Sequence, residues 1–249
     1  MTVDWIKIKI MKHKLLILSV LLAFSICVTA KQKVLIFCKT AGFHHASIAV
    51  GIPAIIKLGK EHDFDVDTTT DATKFTYSNL KQYAAVIFLS TTGDVLNDAQ
   101  QAEFEKYIRS GGGFAGVHSA TDTEYDWPWY GNLVGAYFKN HPSVQQVATL
   151  HIVDPNFIAT KGLPAEWKRL DEWYNFKWIA PNLHVLITID EKTYNGGNNG
   201  DNHPMSWYHE YDGGRAFYTA LGHTDESYSD PVYLKHLLGG IEYAMGRAK

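Results

Sequence analysis

Two apolar runs in this chain end on a histidine. "GFAGVH" closes on His118 and continues into Ser119 and Asp122, and "GRAFYTALGH" closes on His223 and continues into Thr224, Asp225 and Glu226. An imidazole at the end of a strand is presented at the rim of a sheet. There a general base or metal ligand is the natural role, since imidazole does not readily replace a Ser or Cys nucleophile. The plain alternative is a rim histidine bonded to a backbone carbonyl. "GFHHAS" adds His44 and His45, neighbours whose side chains diverge, so one faces a site and the other faces solvent; His45 is the favoured one. His45, His118 and His223 are the candidate metal ligands, and a divalent metal ion is the candidate cofactor.

"DEWYNF" sets Asp171 and Glu172 beside Trp173, Tyr174 and Phe176. A carboxyl among aromatics has its pKa raised by desolvation, as a general acid requires, with a salt-bridged carboxylate as the equal alternative. "DNHPMSWYHE" offers His203, Trp207 and His209, the last two on one face of a strand. These patterns nominate His118, Glu172 and His223 as catalytic residues. They nominate His45, Ser119, Asp122, Trp173, Tyr174, His203 and Trp207 as substrate contacts, the aromatics stacking on a sugar ring. No HExxH, CxxC, GxSxG, Walker or dinucleotide glycine pattern occurs, so zinc-protease, serine-hydrolase, nucleotide and NAD readings lack support.

Positioning such residues takes strands that end together. "KVLIFC", "AAVIFLS" and "GFAGVH" are continuous apolar runs of the kind buried on both faces, and "FDVDTTT" alternates. Between them, "HASIAVGIPAIIKLGKEHD" has isoleucines at helical spacing with Pro53 kinking the helix or near its start. "NDAQQAEFEKYIRSGGG" is a helix with a capping box expected from Asp98 to Gln101. Strand–helix alternation predicts an α/β, doubly wound, mostly parallel sheet whose carboxyl-end loops bind the ligand. Further on, "VQQVATLHIVD" and "HVLITID" read as strands, Asp212-Gly213-Gly214 as a hairpin turn and "DPVYLKHLLGGIEYAMGR" as a closing helix.

The 249 residues carry a net charge of -3 and no Lys/Arg run, which argues against nucleic acid as a partner. Residues 11–30, "MKHKLLILSVLLAFSICVTA", have a basic start, a short apolar stretch and a small-residue exit, the pattern of a secretory signal peptide. Residues 1–30 are therefore expected to be removed, with Met11 an alternative start, leaving residues 31–249 as a single secreted or periplasmic domain without a membrane span. Ile26 stands where a lipid-modified Cys27 would need a small residue, and Cys38 is expected to be a buried, inert thiol. Self-association of copies is left open.

From about Val34 to Arg247 the chain resembles the ThuA-like (trehalose utilisation) family of the class I glutamine amidotransferase-like superfamily. The matching stretches are "GFHHASI", "GGGFAGVHSATD", "DEWYNF" and "HPMSWYHEYDGGRAFYTALGH". The resemblance implies a flavodoxin-like three-layer sandwich. It implies that His118 occupies the place of the amidotransferase nucleophilic cysteine and that His223 lies near the catalytic histidine, so thioester chemistry on glutamine is not expected. His44 stands where relatives often carry Arg. The implied role is carbohydrate catabolism, including 3-keto disaccharides. The leading expectation is acid/base cleavage or isomerisation of a keto-glycoside, with or without the help of a metal ion. The alternatives are a sugar-binding protein that kept the cleft without catalysis, and an assembly role for an exposed aromatic surface.

Overall fold

The apolar runs expected to be covered on both faces are covered on both faces. The computed structural model describes residues 31–247, and the expected signal peptide lies outside them. It opens with β1 (Lys33–Phe37), α1 (Ile48–Glu61), β2 (Asp65–Thr69), the single turn α2 (Tyr77–Leu80), β3 (Ala85–Leu89), α3 (Asp98–Arg109) and β4 (Gly113–Val117). All of β3 and β4 is buried, as is β1 from Val34 onward. β2, β1, β3 and β4 pair side by side in that order, all parallel. A helix separates each from the next along the chain, the winding expected of α/β sheets.

The second half builds outward from this frame with α4 (Pro128–Val134), β5 (Ala136–Asn140), β6 (Gln146–Ile152), β7 (Glu166–Asp171), β8 (Asn175–Ile179), β9 (His184–Ile189), β10 (Pro204–Tyr211), β11 (Gly214–Thr219) and α5 (Pro231–Ala244). β10 and β11 form the expected hairpin, turning at Asp212 (φ 49) and Gly213 (φ 91). Left-handed backbone at both turn positions matches the twist of the flanking strands. β11 lies parallel beside β4, and β10, β9, β6 and β7 continue antiparallel to complete nine strands. β5 and β8 pair separately.

Strand alternation sorts the helices onto two faces. Phe114 on β4 meets Phe104 of α3 and Tyr130 of α4. Its neighbour Gly113 points the other way, so close to the Ala244 carbonyl of α5 that no Cβ fits. Leu89 of β3 likewise lies by Gly51 of α1, opposite Phe88, whose ring meets Phe104. The result is the α/β three-layer sandwich, with α1 and α5 on one side and α3 and α4 on the other. Two local expectations shift. The capping box of α3 is Asn97 with Gln100, one residue earlier than expected, each side chain bonding the other's backbone N–H at 3.0 Å. Pro53 lies inside a continuous α1. Cys38 is buried, and burial raises its thiol pKa.

Candidate functional site

His118 follows β4 directly and begins a 3-10 turn with φ at 50°. A side-chain-bearing residue in this left-handed conformation costs about 1–2 kcal/mol, and such strain is retained where the surrounding structure demands it. Here the demand is a sharp elbow that turns the imidazole back under the sheet rim, where Nδ1 lies 2.9 Å from the Ala220 carbonyl. A carbonyl only accepts, so Nδ1 carries the proton and Nε2 of the neutral ring is bare. That Nε2 lies 3.2 Å from His223 Nδ1 and 3.4 Å from Glu172 Oε2; His223 Nδ1 lies 3.1 Å from the same oxygen. His45, on the β1–α1 loop, completes the group with its ring centroid 4.7 Å from that of His118. Ser119 Oγ lies 3.3 Å from its Nδ1.

The loop that carries His45 is pinned by Thr92, whose carbonyl accepts the N–H groups of Ala41 and Gly42 and whose hydroxyl bonds the Phe43 carbonyl. Glu172 arrives from β7, at the far edge of the sheet. What ties it to the parallel strands is Asp171, with no exposed surface. Its carboxylate accepts the N–H of Gly222 (3.0 Å), His223 (3.1 Å) and Glu172 itself (3.0 Å), and pairs with Arg169 at 3.0 Å. Gly222 has φ 105, and a Cβ there would collide with the Tyr233 hydroxyl, so glycine is what allows two successive N–H groups to point at one carboxylate.

The cluster floors a pocket of about 170 Å³ whose walls are Phe43, Phe138, His141, Tyr174 and Asp122. A larger, open groove of about 520 Å³ along Lys39, Asp71, Asp94 and Asn97 gathers no comparable set of imidazoles and carboxylates, so the smaller pocket is the candidate site.

Charge in the pocket centres on Glu172. Burial pushes its carboxyl up, but the neighbouring imidazoles of His118 and His223 outweigh that and hold it below the usual carboxylate range. The geometry matches the salt-bridged alternative for Glu172, an ionised partner of the two imidazoles. The carboxyl with the raised pKa is Asp122, shifted by burial against the opposing hydrogen bond from Tyr125, whose hydroxyl lies 2.6 Å from Oδ1. His45 is lowered to about 3 by burial and by the neighbouring histidines, so it stays neutral, whereas His223 is raised, its burial overcome by Glu172.

Several expected contacts lie elsewhere. Trp207 is wholly buried and its indole N–H donates to the Val134 carbonyl at 2.8 Å; Trp173 is buried with its N–H on the Gln146 carbonyl at 2.8 Å. Neither reaches the pocket. His203 is enclosed between the Tyr174 carbonyl and Glu191, each 2.8 Å away, and braces the bend after Glu172. His118 itself has no exposed surface, so it supports the floor without touching pocket contents, and Ser119 lies behind His45. His45, Asp122, Glu172, Tyr174 and His223 do line the pocket. Sequence reasoning passed over Phe43, Phe138 and His141. Phe43 stands in the quoted "GFHHAS" and His141 in "KNHP", but nothing local marks either as facing the other loops.

Residues 33–244 of the chain match the family described as ThuA, trehalose utilisation. The chain belongs to the ThuA family. A ThuA-like protein from Bacteroides uniformis is 24% identical with a TM-score of 0.74, covering 88% of this chain and 93% of that one. A ThuA-like protein from Parabacteroides merdae is 23% identical at 0.70, covering 88% and 91%. A cold-adapted β-galactosidase from Rahnella sp. R3 shares the fold at 16% identity and a TM-score of 0.55, with 87% of this chain spanning 31% of that one. No curated protein is significantly similar in sequence. Membership of the ThuA family relates the chain to carbohydrate utilisation.

Proposed function

We propose that this ThuA-family protein is an exported enzyme of carbohydrate catabolism that opens or isomerises a carbonyl-bearing sugar derivative, such as a keto-glycoside, by proton transfer. The observation that carries this reading is the meeting of an imidazole–carboxylate pair on the pocket floor with a raised carboxyl on its wall: His223 and Glu172 below, Asp122 beside them. A carbonyl at C3 of a sugar ring acidifies the C2 proton. With the carbonyl oxygen over the floor, Asp122 takes that proton; its Oδ2 has no hydrogen-bond partner among the described residues. The C2 electron pair forms the C1–C2 double bond as the glycosidic C1–O bond breaks, and the departing oxygen takes a proton from His141. Isomerisation shares the first step. Phe43, 66% exposed at the lip, and Tyr174 supply the apolar faces that a sugar ring stacks against. Export is supported by the leader-like pattern of residues 11–30.

The test is turnover of 3-keto-glycosides beside their parent glycosides, by wild type and Asp122→Asn. Product from the keto form alone, lost in the variant, supports the reading; no product from any keto-glycoside removes it. One observation favours a second reading, a sugar-binding protein: the residue at the amidotransferase nucleophile position, His118, is sealed from the pocket. Saturable binding without product would establish that reading instead.

A further inference from the structure

The triangle of His118 Nε2, His223 Nδ1 and Glu172 Oε2 has sides of 3.1, 3.2 and 3.4 Å. His118 has already committed its only neutral-state proton to Ala220, and the ionised carboxylate is an acceptor alone. His118 Nε2 and Glu172 Oε2 thus turn lone pairs toward each other in a buried space with at most one proton, that of His223 Nδ1, to share between them, and a positive centre bound among the three would satisfy all of them at once. The spacing matches the edges of a coordination shell: a four-coordinate ion with bonds of about 2.0–2.1 Å holds its donors about 3.3 Å apart. A fourth donor is at hand, because His45 also offers a ring nitrogen and all four ligand atoms lie within 4.8 Å of one another.

We infer that His45, His118, Glu172 and His223 form a binding site for a borderline divalent transition-metal ion of the zinc class, entered from the pocket. Three imidazoles and one carboxylate suit zinc or its neighbours and do not suit magnesium or calcium, which prefer all-oxygen shells. The donors are held as metal ligands are held, by a second layer of hydrogen bonds. Ala220 orients His118, Ser119 orients His45, and Asp171 fixes the backbone of both Glu172 and His223. Three of the four ligands line the pocket, so the ion is within reach of a carbonyl oxygen entering there. In its role the inference rests on the reading proposed above, to whose floor the ion would add a positive centre for the sugar carbonyl; the existence of the site does not depend on that reading.

The experiment uses the full chain produced without a histidine tag, stripped with chelator and titrated with Zn²⁺ and with Co²⁺. Expected are near-stoichiometric saturable uptake, a rise in Tm with Zn²⁺, visible absorption bands of low-symmetry Co²⁺, and loss of all three in Glu172→Gln. Circular dichroism checks that the variant is folded; should it be unfolded, His45→Gln serves in its place, with a distorted Co²⁺ spectrum expected. Folded wild type that takes up no Zn²⁺ or Co²⁺, or uptake and Co²⁺ spectra unchanged in folded cluster variants, overturns the site. Stoichiometric metal in a protein that turns over no keto-glycoside would instead leave the site standing and remove the proposed reaction.

Discussion

One oxygen of Asp171 accepts the backbone N–H of His223 at 3.1 Å, across 52 residues of sequence, while also accepting that of Glu172 at 3.0 Å. A single buried carboxylate therefore sets the distance between the imidazole and the carboxylate that meet at the pocket floor. Arg169, itself buried, supplies the compensating charge at 3.0 Å and also bonds Ser227. Asp171→Asn keeps the size of the side chain but presents an amide N–H₂ to donors and leaves Arg169 without its nearer carboxylate, with only Asp230 at 3.5 Å remaining. Breaking a buried pair in this way costs on the order of 3 kcal/mol. Loss of such a supporting contact typically weakens a metal site by about 10–100-fold. Urea unfolding and Zn²⁺ titration of the same sample measure both effects; unaltered Zn²⁺ affinity in a folded variant would show that the clamp has no bearing on the site.

The aromatic residues divide into wall and core, and two substitutions separate them. Phe43→Ala removes a ring that is two-thirds exposed, so stability changes by less than about 0.5 kcal/mol while sugar-derivative binding weakens. Trp207→Phe leaves the Val134 carbonyl without its donor and a gap beside Tyr218, which lowers stability by about 1–3 kcal/mol. Its effect on binding, read by calorimetry at a temperature where both variants are folded, is expected to be absent. The reverse pattern would return Trp207 to the site.

These two tryptophan and phenylalanine positions also show where the sequence was legible. Continuous apolar runs announced β1, β3 and β4 because burial on both faces leaves no room for polar residues, and histidines at the ends of two runs announced the rim. Trp207 was misjudged because alternation tells which residues share a face and not whether that face meets solvent or a helix. α4 covers it. Glu172 was found by type, with a desolvated carboxyl and a salt-bridged carboxylate left as equal alternatives; aromatic neighbours in sequence could not choose between them, because the deciding neighbours are imidazoles brought in from two other strands. His141 carries no local signal at all, since its place in the wall depends on β5 pairing with β8 outside the main sheet.

Buried histidines make the fold sensitive to acid. His236 is fully enclosed, with Nδ1 on the Ala159 carbonyl at 2.8 Å and Nε2 without a partner, and burial lowers its pKa from 6.5 to about 4. His203 and His209 are lowered by burial too. For a group whose folded pKa is depressed, the unfolded chain takes the proton first as pH falls. Stability contributed by neutral His236 is thus complete above 6.5 and is lost between 6.5 and about 4, at up to about 1.4 kcal/mol per pH unit. In His236→Leu the urea midpoint should start lower near neutrality, because Ala159 loses its donor, and fall less steeply toward acid. Parallel pH profiles for the two proteins would show that His236 does not carry this term.

Asp122 gives the pH dependence of turnover its direction. Its carboxyl is raised above the ordinary aspartate value by burial, against the hydrogen bond from Tyr125, and it acts in the proposed reaction as the base, so the ionised form is the active one. Activity should therefore fall as pH drops through this raised pKa, at higher pH than an exposed aspartate would give. Removing the Tyr125 hydroxyl in Tyr125→Phe takes away a bond that favours the charged form, which moves the acid limb upward. Asp122→Asn should lower kcat by about 10²–10⁴-fold, the usual contribution of a positioned base, while leaving Zn²⁺ uptake unchanged because Asp122 is not among the four metal-site residues. An acid limb that stays in place in Tyr125→Phe would assign it to another group, and an active Asp122→Asn protein would move the base to His141.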